Sequence, residues 1–142
     1  MILPDLNLLL YAYNSSAAQH KKSATWWEQT INSKQIILLP HEILFGFIRI
    51  ATNKKLGDAS VSLKQAKATV DSWLILPNTK IITPDTDHYI RVLELMAKSK
   101  SQGPILSDAI LASYAIHQGA TLCSNDSDFN RFDNLISHNP IE

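Results

Sequence analysis

The stretch at residues 107–132 constrains the fold more than any other part of the chain. Residues 109–116 are apolar on nearly every side of a helical wheel, which predicts a helix covered by other elements. Asp108 lies in the first turn of this helix, and Gly119 ends it. Residues 121–123 then predict a short strand, and a polar turn follows directly. Because ligands bind at the carboxyl ends of strands in open α/β sheets, this turn is the first candidate for a functional site.

Predicted strands and helices alternate along the rest of the chain. Short β-branched or apolar runs predict strands at 2–3, 35–39, 80–83, 121–123 and 135–137. Helical patterns or helix starts lie between them, within 5–13, 16–32, 40–53, 61–76 and 85–98, and a basic loop occupies 53–58. No internal repeat interrupts this alternation. The pattern predicts an α/β fold with three layers, in which helices cover both faces of a central parallel sheet of four or five short strands.

Size and composition indicate one domain that spans residues 1–142. With 45% hydrophobic residues, 142 residues can bury one substantial core but not two. Thirteen Lys and Arg balance thirteen Asp and Glu, so any polyanion must meet a local basic patch. The single Cys123 excludes an internal disulfide, and the apolar runs are short. We therefore expect a cytoplasmic protein without a signal peptide or membrane span.

Four acidic residues each follow a predicted strand or begin a predicted helix: Asp5, Glu42, Asp108 and Asp126. A parallel sheet brings such positions together at one edge. Carboxylates held that close repel one another and raise one another's pKa unless a hard cation neutralises them, and oxygen ligands suit Mg²⁺ or Mn²⁺. Such a site supports metal-assisted phosphoryl transfer with an activated water.

A purely structural interpretation of the same acids is also available. Asp and Glu are favoured in the first turn of helices by the macrodipole and by capping. Asp85 and Asp87 occupy such a position after the strand predicted at 80–83, and we assign them no chemistry. The spacing alone leaves both interpretations open.

Other side chains near these acids are secondary candidates. On the helix that begins near residue 40, Arg49 shares one side with Glu42, roughly 10 Å along the axis, which suits a phosphate contact. The alternative for Arg49 is an ordinary salt bridge. Asn7 either hydrogen-bonds an acid or a water near the metal, or orders a turn. The histidines show no i, i+4 metal pair, and only His41 adjoins a candidate acid.

Four segments of the chain carry distinctive combinations of these acids with apolar residues. The segments are DLNLLLYA at 5–12, PHE at 40–42 with GFIRIAT at 46–52, SDAILA at 107–112, and GATLCSNDSDF at 119–129. They closely resemble the PIN-domain ribonucleases and, among them, the VapC-type toxins of bacterial toxin–antitoxin pairs. The resemblance covers essentially the whole chain, and the paired aspartates before Phe129 are its most specific part.

This resemblance implies an α/β/α fold and a Mg²⁺- or Mn²⁺-dependent endoribonuclease that inhibits translation by cutting structured RNA such as tRNA or rRNA. It also implies a small VapB-like antitoxin, and we expect a homodimer. Matched by position, the four acids named above correspond to the family's acid quartet. Asp128 is the adjoining acid, which we count as a further metal ligand, and Ser124 supplies the supporting hydroxyl. Two departures are small: Pro4 precedes the first acid, and Ser124-Asn125 stands where Thr and a charged residue are common.

Two alternative functions remain at this level. A metal-dependent phosphatase of another α/β family would carry a second aspartate two residues after the first, and Asn7 occupies that position. A catalytically silent PIN-like module that binds RNA or protein would be signalled by loss of an acid, and none of the four is lost.

Overall fold

The computed structural model describes residues 1–142 and contains a five-stranded parallel sheet in the order β3-β2-β1-β4-β5. The strands are β1 (Ile2–Pro4), β2 (Ile37–Pro40), β3 (Thr79–Ile82), β4 (Thr121–Cys123) and β5 (Ser137–His138). The helices are α1 (Leu6–Tyr13), α2 (His20–Ile31), α3 (His41–Ala51), α4 (Leu63–Leu74), α5 (His88–Lys98) and α6 (Ile105–Gln118), with 3₁₀ helices at Lys54–Ala59 and Ser127–Arg131. The predicted α/β fold with a parallel sheet is confirmed.

The strand order explains how the helices form two outer layers. The chain steps in one direction from β1 through β2 to β3, then reverses and returns to β4 beside β1. Since parallel crossovers are right-handed, helices before and after a reversal lie on opposite faces of the sheet. Accordingly α1 contacts both α2 and α3, and α3 contacts α4, whereas α5 contacts α6.

The reversal also creates the crevice in which ligands bind in such sheets. Strands β1 and β4 are neighbours, with Pro4 opposite Cys123, and the backbone N–H of Asp5 donates to the carbonyl of Cys123 at 2.8 Å. The residues that follow these two strands are therefore side by side. Pro4 and Pro40 are the last residues of β1 and β2.

A cluster of aromatic side chains packs four helices of one layer together. The indole N–H groups of Trp27 and Trp73 both donate to the hydroxyl oxygen of Tyr13, at 3.2 and 2.9 Å. Phe47 packs edge-on against the Trp73 ring, with centroids 4.9 Å apart. Trp27 and Trp73 are buried, and the hydrogen bonds to Tyr13 satisfy the indole N–H of each.

Several element boundaries differ from the sequence predictions. The last strand was predicted at 135–137 and lies at Ser137–His138, because residues 132–135 form a turn before pairing with β4 begins. The helix predicted from residue 16 begins at His20 after a turn, and the predicted basic loop at 53–58 contains a 3₁₀ helix. Helix α4 begins two residues late because Ser62 and Gln65 form a capping box. None of the helices combines the length and apolar composition needed to cross a bilayer.

Candidate active site

A cavity of about 520 Å³ opens at the carboxyl edge of the central strands. Its lining includes five of the residues predicted from the sequence: Asp5, Asn7, Glu42, Arg49 and Asp108. A second, polar hollow of about 270 Å³ lies past the ends of β4 and β5 and is lined in part by Ser124 and Asp126. The predicted residues therefore gather at one edge of the sheet.

Three carboxylates form a tight cluster at this edge. Asp108, Asp126 and Asp128 each place one carboxylate oxygen so that the three oxygens all lie within 4.8 Å of one another. Oxygens that ligate a common Mg²⁺ or Ca²⁺ at roughly 2.0–2.6 Å have separations of this size. The ligand set contains only carboxylate oxygen, the donor that hard divalent cations prefer. These acidic residues could therefore bind a metal ion.

Burial and this crowding both raise the pKa of Asp108. Its pKa is raised to about 6 from the ordinary value of 3.8, mainly by burial and then by repulsion from Asp126, Asp5 and Asp128. The guanidinium of Arg131 opposes these effects and lowers the pKa of Asp108. Thus Asp5 contributes to the same electrostatic environment as the three clustered acids.

Asp5 is buried and is oriented by Ser124. The Ser124 hydroxyl donates to Oδ2 of Asp5 at 2.7 Å, and its oxygen accepts from the backbone N–H of Asp126 at 2.9 Å. Burial is the largest influence on the pKa of Asp5 and raises it, and the hydrogen bond from Ser124 is the largest opposing influence. Ser124 thereby links the acid after β1 to the acid after β4, two strands that are neighbours in the sheet.

The turn after β4 is shaped by its own polar side chains. Asp126 caps the second 3₁₀ helix, since its Oδ1 accepts from the backbone N–H of Asp128 at 2.8 Å. Arg131 donates from Nε to the carbonyl of Asp128 at 3.1 Å and lies 3.6 Å from its carboxylate. The buried ring of Phe129 anchors the turn in the core. Sequence reasoning overlooked Arg131, although its spacing of three residues from Asp128 places both in one turn.

Glu42 lies apart from the clustered acids. It lines the same cavity as Asp5 and Asp108, but its carboxylate is exposed and does not belong to the group of oxygens within 4.8 Å. Its partner is Tyr114, whose hydroxyl lies 3.3 Å from both carboxylate oxygens. Burial, followed by the charge and hydrogen bond of Glu42, raises the pKa of Tyr114 to about 12. From the sequence, Tyr114 was predicted only as an apolar position of its helix, and its contact with Glu42 was not predicted.

The remaining candidates occupy the rim. Arg49 is exposed and forms none of the four ion pairs in the structure, so the salt-bridge alternative has no partner here. Asn7 is exposed, and its nearby backbone amide lowers the pKa of the Asp5 carboxyl. His41 stacks on Phe45 with ring centroids 5.9 Å apart. Asp85, to which no chemistry was assigned, pairs with Arg91 outside the cavity.

Comparisons with known proteins agree with this architecture. Residues 2–135 match the PIN domain family. Ribonuclease VapC33 of Mycobacterium tuberculosis is 38% identical over 141 residues, which cover 99% of each chain. Ribonuclease VapC43 of the same organism is 30% identical over 142 residues, covering 100% of this chain and 97% of that protein.

Two solved structures show the same fold. VapBC2 from Rickettsia felis, bound to a DNA fragment from its promoter, gives a TM-score of 0.69 at 23% identity and covers 98% of both chains. VapC20 of Mycobacterium tuberculosis, described as a Sarcin-Ricin loop cleaving toxin, gives 0.70 at 12% identity and covers 92% of this chain and 93% of its own. With a family match across residues 2–135 and a full-length relative at 38% identity, the chain belongs to the PIN-domain family and, within it, to the VapC ribonucleases.

Proposed function

We propose that this chain is an endoribonuclease toxin that hydrolyses phosphodiester bonds of structured RNA, of the tRNA or rRNA class, with the help of bound Mg²⁺. The observation that carries the proposal is the group of three carboxylate oxygens within 4.8 Å, beside the buried Asp5. Two relatives named as ribonucleases, at 38% and 30% identity, support RNA as the substrate class. Mn²⁺ substitutes for Mg²⁺ because both accept the same carboxylate ligands.

The proposed metal ligands are Asp5, Glu42, Asp108, Asp126 and Asp128, of which the first four form the catalytic set. A bound ion would supply the activation of a water and the neutralisation of charge on the scissile phosphate. The side chains of the protein hold the geometry of the site. In the metal-free protein the pKa of Asp108 is raised to about 6, and a bound cation would favour the deprotonated form that serves as a ligand.

Arg49 is the proposed RNA contact beside the acids. It is exposed, lines the cavity with Glu42 and Asp108, and has no acidic partner. Since the chain has no net charge, a local cation at the cavity is the means by which a phosphate backbone can be held there. Ser124 plays a supporting role because its hydroxyl donates to the carboxylate of Asp5, and we assign Asn7 a supporting role because it lines the cavity beside Asp5.

We further propose a small VapB-like antitoxin as the partner, brought to the acidic edge by a basic side chain. Several of the similar solved structures are VapBC complexes, which supports this partner. A homodimer is supported by large exposed apolar side chains, Phe45, Ile90 and Leu93 among them, since dimer interfaces are enriched in such residues. We also propose that residues 1–142 form one domain and that the protein acts in the cytoplasm, where its single cysteine stays reduced.

Purified protein incubated with total RNA tests this function. We expect discrete cleavage products in Mg²⁺ and in Mn²⁺, and no products in EDTA or with Asp126→Asn. Asp71→Asn is the matched control, because Asp71 is exposed on α4 and pairs only with Lys67. Equal cleavage by the wild type in Mg²⁺, in Mn²⁺ and in EDTA would refute the proposed mechanism. RNA binding without cleavage would instead identify a catalytically silent PIN-like module.

A further inference from the structure

Glu42 is held by a single side chain from the opposite layer of the fold. The Tyr114 hydroxyl lies 3.3 Å from Oε1 and 3.3 Å from Oε2, and no cation pairs with Glu42. Glu42 belongs to α3 and Tyr114 to α6, 72 positions apart in the sequence. The contact therefore joins the helix that carries Glu42 to the helix that carries Asp108.

Tyr114 is itself rigidly placed. Only 5% of its surface is exposed, and its ring stacks on that of His88 with centroids 4.3 Å apart and planes 17° from parallel. A tyrosine hydroxyl remains protonated at neutral pH and donates one hydrogen bond. A fixed donor is thus presented to a carboxylate that is otherwise exposed to solvent.

An exposed glutamate samples many rotamers, and binding a metal requires that freedom to be lost. A donor equidistant from both oxygens reduces the freedom beforehand, and the carboxylate, with about four acceptor sites, keeps capacity for a metal ion. We propose that Tyr114 is a positioning residue, whose hydroxyl holds the Glu42 carboxylate at the cavity so that Glu42 completes the metal-binding set. This inference rests on the proposed function and assigns a role to a residue outside the acids.

A structural explanation of the same contact makes different predictions. Buried tyrosines usually find a partner for their hydroxyl, and Glu42 could simply serve as that partner. In that case Tyr114→Phe would change the melting temperature and leave metal binding and catalysis alone. If Tyr114 positions Glu42, the same substitution weakens metal binding and lowers kcat through Glu42, while the fold is preserved.

The test is a double-mutant cycle of Tyr114→Phe and Glu42→Ala in the full chain. The readouts are the Kd for Mn²⁺ from the electron paramagnetic resonance signal of the free ion, kcat and KM for RNA cleavage, and the melting temperature in EDTA. The matched control is Tyr89→Phe, because Tyr89 is 73% exposed and makes no side-chain hydrogen bond.

We expect Tyr114→Phe to raise the Kd for Mn²⁺ and lower kcat by about 10-fold each, the usual effect of removing a partner that orients a metal ligand. KM and the melting temperature should change little, and Tyr89→Phe should match the wild type. In the Glu42→Ala background, Tyr114→Phe should cause no further loss.

Unchanged Kd and kcat in Tyr114→Phe, or an equal loss in the Glu42→Ala background, would overturn the role of Tyr114 while leaving the nuclease proposal intact. A wild-type protein that binds Mn²⁺ but cuts no RNA would overturn the proposed function, and the Kd values would still decide whether Tyr114 positions Glu42. A wild-type protein that binds no Mn²⁺ would overturn both.

Discussion

Replacing Asp108 with asparagine should stabilise the metal-free protein while abolishing its activity. The raised pKa of Asp108, about 6 against 3.8, means that its charge is unfavourable in the folded state. At about 1.4 kcal/mol per unit of pKa, the full cost at neutral pH is roughly 3 kcal/mol. Because the side chain is only partly buried, solvent screening reduces this to about 1.5 kcal/mol.

A smaller effect acts in the opposite direction. Asp108 lies in the first turn of α6, where a negative charge stabilises a helix by roughly 0.3–1 kcal/mol, and asparagine loses this contribution. The net gain in the free energy of unfolding is therefore about 0.5–1 kcal/mol. For a chain of this size that corresponds to a rise in Tm of about 2–4 °C.

The gain in Tm from Asp108→Asn should increase as the pH rises. Since the folded pKa lies above the unfolded value, the folded state binds the proton more tightly between about pH 4 and pH 6. Below pH 4 Asp108 is protonated in both states and costs nothing. As pH rises through 6 the wild type loses stability that Asp108→Asn retains, so the difference in Tm should be full by about pH 7.5 and absent near pH 4.

Thermal melts in EDTA at both pH values, repeated with excess Mn²⁺, measure these differences. Bound metal stabilises each protein by RT ln(1 + [L]/Kd). The wild type should gain more than the mutant because its Kd for the metal is lower. Asp87→Asn is the matched control, because Asp87 is an exposed acid at the start of α5 that makes no capping hydrogen bond. If Asp108→Asn melts below the wild type at pH 7.5, gains as much from Mn²⁺ and still cuts RNA, Asp108 does not belong to the site.

Two further substitutions separate RNA binding from the architecture of the acids. Arg49→Ala should weaken RNA binding and flatten its salt dependence, with the Kd for Mn²⁺ unchanged. The control Lys54→Ala should weaken RNA binding less. Loss of stability with unaltered RNA affinity would identify Arg49 as structural. Ser124→Ala should lower the free energy of unfolding by about 1–3 kcal/mol in urea titrations, because the buried Ser124 hydroxyl hydrogen-bonds both Asp5 and the backbone of Asp126. An unchanged urea midpoint would show that these hydrogen bonds do not stabilise the fold.

Much of the fold was determined by local sequence. Strand-forming runs alternate with amphipathic or buried helices, and this alternation favours a parallel sheet with helices on both faces. The chemistry of each turn placed acids after β1 and β4 and at the start of α3 and α6, as the structure shows. Boundaries were less predictable, because turn hydrogen bonds such as those at 132–135 compete with strand pairing.

Only the tertiary structure decided which acids share a site. Asp126 and Asp85 both follow a strand, so they look alike in the sequence, but strand order separates them. Strand β4 lies beside β1, whereas β3 is at the far edge, three strand spacings or roughly 14 Å from β4. Asp126 therefore lies beside Asp108, and Asp85 pairs with Arg91 instead.

The contact between Tyr114 and Glu42 was invisible in the sequence for the same reason. A helical wheel describes the neighbours of Tyr114 within α6, and it correctly predicted that this residue is buried. It contains no information about a carboxylate 72 positions away on another helix. Local sequence determines the backbone conformation over a few residues, whereas the distance between remote side chains is set by how strands order and helices pack around them.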